Sequence, residues 1–425
     1  MLRHLNGAVP ARGEARGPRV LIYSHDTFGL GHLRRSRAIA NRLVQRNPLA
    51  SVVIISGSPV IGNFEFGDGV DYVRVPGVVK LPNGDYTTLS LKLPLDETVA
   101  MREGIILQTV RTLRPDLVIV DKEPTGFRGE LLPALEEMRA TGARVVLGVR
   151  DVMDDPHVLI PEWARKEAVE ALERYYDHIW VYGLKEIYEP LAGLELPDRL
   201  ARHIVYTGYL RREVPPQPNL ARYPKLTKGP FILVTTGGGG DGHELIDWVI
   251  SAYEADSSIP TPALIVFGPF IEREQRVRFL ERVSRLAKVD AIAFDSKIEH
   301  LISRAAGVIS MGGYNTFCEI LSLDKRALIV PRKTPRLEQS IRTEHAARLG
   351  LLSHLDGANL DPGAVRDPAE MAAAIRALPG QPVPSNAFLP HLLEGLDEID
   401  RMTSAWFAHD RRVMPLERLG HVVGE

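Results

Sequence analysis

The sequence has a single cysteine, Cys318, in 425 residues. A disulfide within the chain is thereby excluded, and a cysteine-based metal site is not expected. One thiol fits a reducing compartment, so the cytoplasm, its inner membrane face included, is the expected location. No stretch approaches ~20 consecutive apolar residues, and no membrane-spanning helix is expected. A net charge of -2 gives no global electrostatic case for nucleic acid as a partner. Residues 1–18 carry Arg3, Arg12 and Arg16 among glycines and proline, without the apolar core of a signal peptide, and read as a disordered tail. No aspartate pair has a convincing metal-ligand setting, so no divalent cation and no other cofactor is expected.

What is present is an ordinary globular balance, 44% apolar and 25% charged, in a chain long enough for two domains. Short apolar runs alternate with amphipathic helical stretches. Arg19–Ser24, Ser51–Ser56, Asp71–Val75, Leu117–Val120, Arg144–Val149, His178–Tyr182 and His203–Tyr206 are rich in Val and Ile and do not alternate with polar residues. That pattern suits parallel strands buried on both faces. Helical segments such as Leu33–Arg46 and Ile160–Tyr176 separate them, which makes a βαβ series.

Val214–Pro230 interrupts the series with five prolines and no periodicity, and reads as a linker. A second βαβ series follows, with strands Phe231–Thr235, Ala263–Phe267, Ala291–Phe294, Gly307–Ser310 and Ala327–Val330. The expected plan is α/β, with two Rossmann-like domains (19–213 and 231–384) facing across a cleft. A last amphipathic helix within 385–425 carries Leu389, Leu392, Leu393, Leu396, Ile399, Met402 and Trp406, and is expected to pack back toward the N-terminal domain.

Ligands of open parallel sheets bind beyond the carboxyl ends of the strands. Three glycine-rich turns lie there. In the first, Asp26–His32, Gly29 and Gly31 allow a tight turn into a helix whose N-terminus favours anions. Asp26 or His32 could take a proton from a ligand hydroxyl. Equally, the glycines could only close a turn. Arg34 and Arg35 lie at the ligand end of a helix whose other arginines read as a solvated face. The second turn, Thr235–His243, holds Gly237, Gly238, Gly239 and Gly240. Such a run lets several N–H groups converge on a phosphate. It is not a Walker A loop, because no Gly-Lys-Ser/Thr follows. In the third, Ser310–Glu319, Met311, Gly312, Gly313 and Tyr314 precede a helix that Asn315 or Thr316 could cap. Glu319 lies one turn further on and could accept both hydroxyls of a ribose. Arg332, Lys333 and Arg336 add positive charge near a diphosphate, with Arg342 one turn beyond. Asp121 and Glu123, and Arg150 and Asp151, are polar strand ends that suit an acceptor or a base, or salt bridges at a sheet edge.

The segment Phe294–Gly350, with its strand, glycine pair, glutamate-bearing helix, proline-ended strand and polar Glu338–Gln339 loop, resembles inverting GT-B glycosyltransferases. The likeness is to the N-acetylglucosaminyltransferase of peptidoglycan lipid-intermediate synthesis and its uncharacterised relatives. It implies that Gly238–Gly240 and Gly312–Tyr314 hold a diphosphate, Glu319 a ribose, Phe294 the base, and Glu338 and Gln339 the sugar. His32 would stand near the reaction centre. The implied function is metal-independent transfer, with inversion, from a nucleoside-diphosphate sugar, UDP being the expected nucleotide, to an unidentified hydroxyl acceptor such as a lipid or glycan. Peripheral membrane contact stays open. An acceptor-free nucleotide-sugar epimerase or hydrolase of the same fold is the first alternative, drawing on Asp121, Glu123 and Asp151 as cleft carboxylates. A non-catalytic nucleotide-binding protein is the second.

Overall fold

A computed structural model describes residues 16–25, 31–81, 85–216, 223–238, 240–361 and 363–413 of the chain. The N-terminal half contains β1 (Arg19–Ser24), β2 (Ser51–Ser56), β3 (Val70–Arg74), β4 (Val78–Lys80), β5 (Tyr86–Thr88), β6 (Leu117–Asp121), β7 (Arg144–Arg150), β8 (His178–Tyr182) and β9 (Ile204–Tyr206). The C-terminal half contains β10 (Ile232–Thr235), β11 (Ala263–Val266), β12 (Val289–Ile292), β13 (Gly307–Ser310), β14 (Ala327–Ile329) and β15 (Ser353–His354).

Among the described residues, one sheet runs in the order β3-β2-β1-β6-β7-β8-β9 and the other in the order β12-β11-β10-β13-β14-β15. Every pairing within them is parallel. The unalternating apolar runs are explained by this: all five residues of β6 are buried, covered on both faces by helices. Each fully buried Val, Leu or Ile contributes about 1.5–3 kcal/mol. The strand order reverses between β1 and β6 in one sheet and between β10 and β13 in the other. Such reversals open a crevice at the carboxyl end of the sheet. Thr235 pairs in register with Ser310, so the second and third glycine turns leave the sheet side by side. Asp121 pairs with Gly148, which sets the polar ends of β6 and β7 together.

Several elements differ from the sequence expectation. β12 lies at Val289–Ile292, two residues earlier than expected, which frees Phe294 for the loop beyond. The helix expected over Ile160–Tyr176 is two, Pro156–Arg165 and Ala168–Tyr175, broken where Glu167 takes a φ of 50°. The stretch 78–97 forms the antiparallel pair β4–β5 and opens a helix, Leu95–Leu113. Asp26, Gly29, Gly239, most of the expected N-terminal tail and residues 217–222 of the expected linker lie outside the described residues.

The last helix, Gly395–Val413, starts beyond Leu389, Leu392 and Leu393, which pack in the same apolar cluster as Ile399 and Met402. That cluster includes Val20, Ile22 and Trp180 of the N-terminal sheet. Trp406 stacks on Trp180 with ring centroids 5.9 Å apart, and Arg46 pairs with Asp400 at 3.0 Å. The chain's C-terminal segment is thereby fastened to its N-terminal half.

Candidate functional site between the two sheets

A cleft of about 430 Å³ lies between the carboxyl ends of the two sheets. From the C-terminal half it is lined by Gly237, Gly238 and Gly240 and by Phe294, Met311, Gly313, Tyr314, Asn315, Thr316, Glu319, Glu338 and Gln339. From the N-terminal half Gly31, His32, Arg34, Arg35 and Arg150 face them.

Gly268 stands behind the second glycine turn, where backbone meets backbone. A Cβ on Gly268 would come within 2.7 Å of the Gly237 and Gly238 carbonyl oxygens. Gly312 has a φ of +74°, and a Cβ there would meet Ile329 at 2.8 Å. Gly312 does not line the cleft. Its carbonyl accepts a hydrogen bond from Arg342 at 3.0 Å, so it shapes the loop from behind. The helix Tyr314–Ser322 then begins at the cleft and directs its free N–H groups toward it.

Across the cleft, the helix Gly31–Arg46 presents His32. Its Nδ1 lies 2.6 Å from Asp121 Oδ2, at the end of β6. Arg35 grips the same carboxylate, with contacts of 2.6 and 2.7 Å from one guanidinium nitrogen. Burial alone would raise the Asp121 carboxyl, but Arg35 and His32 outweigh it and hold it well below the usual range. Burial lowers His32 to about 4; Asp121 opposes this and Arg35 adds to it. The imidazole is therefore neutral near neutral pH. With Nδ1–H donated to Asp121, Nε2 keeps a lone pair. A neutral imidazole oriented by a carboxylate is the arrangement that accepts a proton from a hydroxyl.

Glu319 is buried, and Arg34 from the opposite half bonds to it and, at 2.9 Å, to Glu299. Burial pushes the Glu319 carboxyl up to about 7, with Arg34 pulling against it. A second link joins the halves at Asn315, which accepts from Arg212 at 2.9 Å and donates to the Gly31 carbonyl at 3.0 Å.

The remaining predicted residues lie apart from the cleft. Asp151 is fully buried and bonded at 2.7 Å to Arg342, so it is a structural anion and not a group open to ligand. Glu123 faces a neighbouring cavity of about 860 Å³ and is held by Lys166 at 2.8 Å. Arg336 lines that second cavity too, and pairs with Asp154 and Glu162 at 3.0 Å each. Lys333 pairs with Asp356 instead of turning to the glycine loops. Sequence reasoning missed Arg35 as an orienting residue, Arg212, and the second cavity altogether. Among the described residues no group of three or more His, Cys, Asp or Glu is arranged to hold a metal ion, and no helix is long and apolar enough to cross a membrane.

Residues 231–350 match the glycosyltransferase family 28 C-terminal domain. The chain has the GT-B fold and carries a glycosyltransferase domain. Three solved structures align over nearly its whole length. LpCGTa in complex with UDP has a TM-score of 0.60 at 14% identity, covering 92% of this chain and 99% of its own. MurG of Acinetobacter baumannii has a TM-score of 0.52 at 13% identity, covering 92% and 95%. A Listeria monocytogenes protein described as a UDP-N-acetylglucosamine 2-epimerase has a TM-score of 0.56 at 13% identity, covering 94% and 98%. No curated protein sequence matches the chain. The family 28 match contains the second and third glycine turns, Glu319 and the Glu338–Gln339 pair. The His32 turn lies outside it.

Proposed function

We propose that the protein transfers a sugar, with inversion and without a metal ion, from a nucleoside-diphosphate sugar to a hydroxyl acceptor. UDP is the nucleotide we assign to the donor. The observation that carries this reading is the His32–Asp121 pair facing two glycine loops across one cleft. In the proposed complex the diphosphate lies against Gly237–Gly240 and the N-terminus of the helix Tyr314–Ser322. Those N–H groups stabilise the negative charge that grows on the leaving diphosphate. Glu319 accepts from the ribose, Phe294 borders the base, and Glu338 and Gln339 hold the sugar. His32 Nε2 takes the acceptor proton as the acceptor oxygen attacks the anomeric carbon from the face opposite the diphosphate. The similarity to LpCGTa in complex with UDP supports the choice of nucleotide.

The carboxylates that would serve acceptor-free epimerisation are all committed: Asp121 to Arg35, Asp151 to Arg342, Glu123 to Lys166. Transfer is therefore favoured over epimerisation, although one structural neighbour is described as an epimerase. The test is a thermal-shift screen of UDP-, GDP-, ADP- and TDP-sugars, since a ligand that binds the native state raises its apparent stability. Incubation of the stabilising donor follows, alone and with hydroxyl acceptors. Transfer that His32→Ala abolishes while UDP still binds is the expected result. Rapid acceptor-free epimerisation, or transfer unaffected by His32→Ala, would overturn the proposal.

A further inference from the structure

Arg150 takes no part in the transfer step proposed above. It ends β7 and lines the cleft near His32 and Glu338. Its Nε is buried, with no hydrogen-bond partner among the described residues. The other cations around it are matched: Arg35 with Asp121, Arg342 with Asp151, Arg336 with Asp154 and Glu162. Glu338, on the opposite half, gives one oxygen to Arg332 at 2.8 Å. Burial lowers Arg150 to about 10; Glu338 and Asp151 oppose this, and Arg35 and Arg342 add to it. It is still a cation near neutral pH. A desolvated cation without a partner is costly, and it binds an incoming anion strongly.

Lys122 stands beside it. It follows β6, the strand next to β7, and its backbone N–H donates to the Gly148 carbonyl at 2.9 Å. Its φ of +73° is rare for a residue with a side chain. Among the described residues its close carboxylate is Glu123, at 3.5 Å, which Lys166 holds more tightly. Burial depresses the Lys122 charge, and so do Arg336 and Arg150. Lys122 lines the second cavity and Arg150 the first, from the ends of the paired strands β6 and β7, and His25 of the second cavity lies 5.9 Å, ring to ring, from His32 of the first. Tyr86 and Phe127, with ring centroids 4.8 Å apart, give the second cavity an aromatic wall.

We propose that Arg150 and Lys122 form a subsite for an anionic group, a phosphate or a carboxylate, carried by the acceptor, which enters through the second cavity and offers its hydroxyl to His32. The inference rests on the donor reading above. In that reading the donor diphosphate belongs to glycine loops on the C-terminal sheet. Arg150 and Lys122 stand on strand ends of the N-terminal sheet. An anion there gives Arg150 the partner it lacks and offsets its repulsion with Lys122.

The test follows thermal unfolding during titration with inorganic phosphate and, in a separate arm, acetate, at constant ionic strength, with and without saturating UDP. The expected result is stabilisation by one of the anions that persists under UDP, and the stronger arm distinguishes phosphate from carboxylate. Arg150→Gln and Lys122→Gln should each weaken that response at least tenfold with the UDP shift intact. Arg150→Lys, which keeps the charge, should retain most of it. An equal response in wild type and Arg150→Gln, no response to either anion, or a response that UDP abolishes would overturn the proposal. In the last case the anion occupies the diphosphate loops. If no nucleotide stabilises the protein, the donor reading fails, yet the comparison of wild type with Arg150→Gln still decides the subsite.

Discussion

Arg342→Met removes a guanidinium with no solvent exposure. The side chain makes two bonds of 2.7 Å to Asp151 and one of 3.0 Å to the Gly312 carbonyl. Methionine keeps the apolar stem, so the loss is chiefly electrostatic. Asp151 is left with the Tyr209 hydroxyl and the Val152 N–H, each at 2.8 Å. A buried charge stripped of its partner destabilises by about 3–5 kcal/mol. Asp151→Leu alone should destabilise similarly, because it strands Arg342. The double variant removes both charges. It leaves the Tyr209 hydroxyl, the Val152 N–H and the Gly312 carbonyl without these partners, each an unsatisfied buried group worth about 1–3 kcal/mol, and Tyr209→Phe removes the first of them. Urea unfolding of the wild type, both singles, the double and the triple closes the cycle. A chain of two halves need not unfold in one step, so the transition that responds to Arg342→Met is the one to compare throughout. The double should be far more stable than the sum of the singles implies, and the triple more stable than the double. Singles that add within about 0.5 kcal/mol in the double would refute the coupling and, with it, the description of Asp151 as a structural anion held by Arg342.

Glu319→Ala should weaken UDP binding about tenfold, or ~1.4 kcal/mol, by calorimetry; unchanged affinity removes Glu319 from the ribose role. The acid limb of kcat/KM should lie near pH 4, since His32 must be neutral to act as base, is held at about 4, and loses function as pH falls through that value. Arg35→Gln removes a charge that depresses His32 and should move that limb to higher pH; a limb that stays in place separates His32 from the rate. Turnover should be the same with and without a chelator, and abolished turnover would sink metal independence.

The sequence reading captured what is locally encoded. A Val- and Ile-rich run, a glycine cluster and a helix follow one another within some twenty residues at Ile232–Ala255 and again at Gly307–Ser322, and each step has its own signal. What it missed depends on contacts between distant segments. Arg34, Arg35, Arg37, Arg42 and Arg46 share one helix, and their spacing does not tell a buried arginine from a solvated one. Arg35 is buried because β6, 86 residues away in sequence at Asp121, lies next to β1 and supplies its carboxylate. Glu319 and Asp151 each found an arginine from the other half of the chain, which no periodicity announces. β4 and β5 are three residues each and pair only with one another, too short for alternation to show. The second cavity, which Tyr86 of β5 helps to wall, was therefore invisible.

These long-range contacts connect the donor loops to the opposite half. Glu319 is bonded to Arg34, Asn315 to Arg212 and the Gly31 carbonyl, and the Gly312 carbonyl reaches Asp151 through Arg342. Just before Glu338, Arg336 and the Leu337 N–H are bonded to Asp154. A ligand that shifts these loops must therefore act on the contact between the halves. The relation is reciprocal, because any difference in nucleotide affinity between two arrangements of the halves equals the bias that the nucleotide places on them. Glu319 shows what that implies. Arg34 already holds the carboxylate assigned to the ribose, so a nucleotide must share or displace it, and Arg34 still has Glu299 at 2.9 Å when it lets go. The donor's gain at Glu319 is thus measured against an existing ion pair and not against water. A nucleotide held on those terms binds less tightly than the number of contacts in the cleft suggests, which favours release of the spent diphosphate once the sugar has gone.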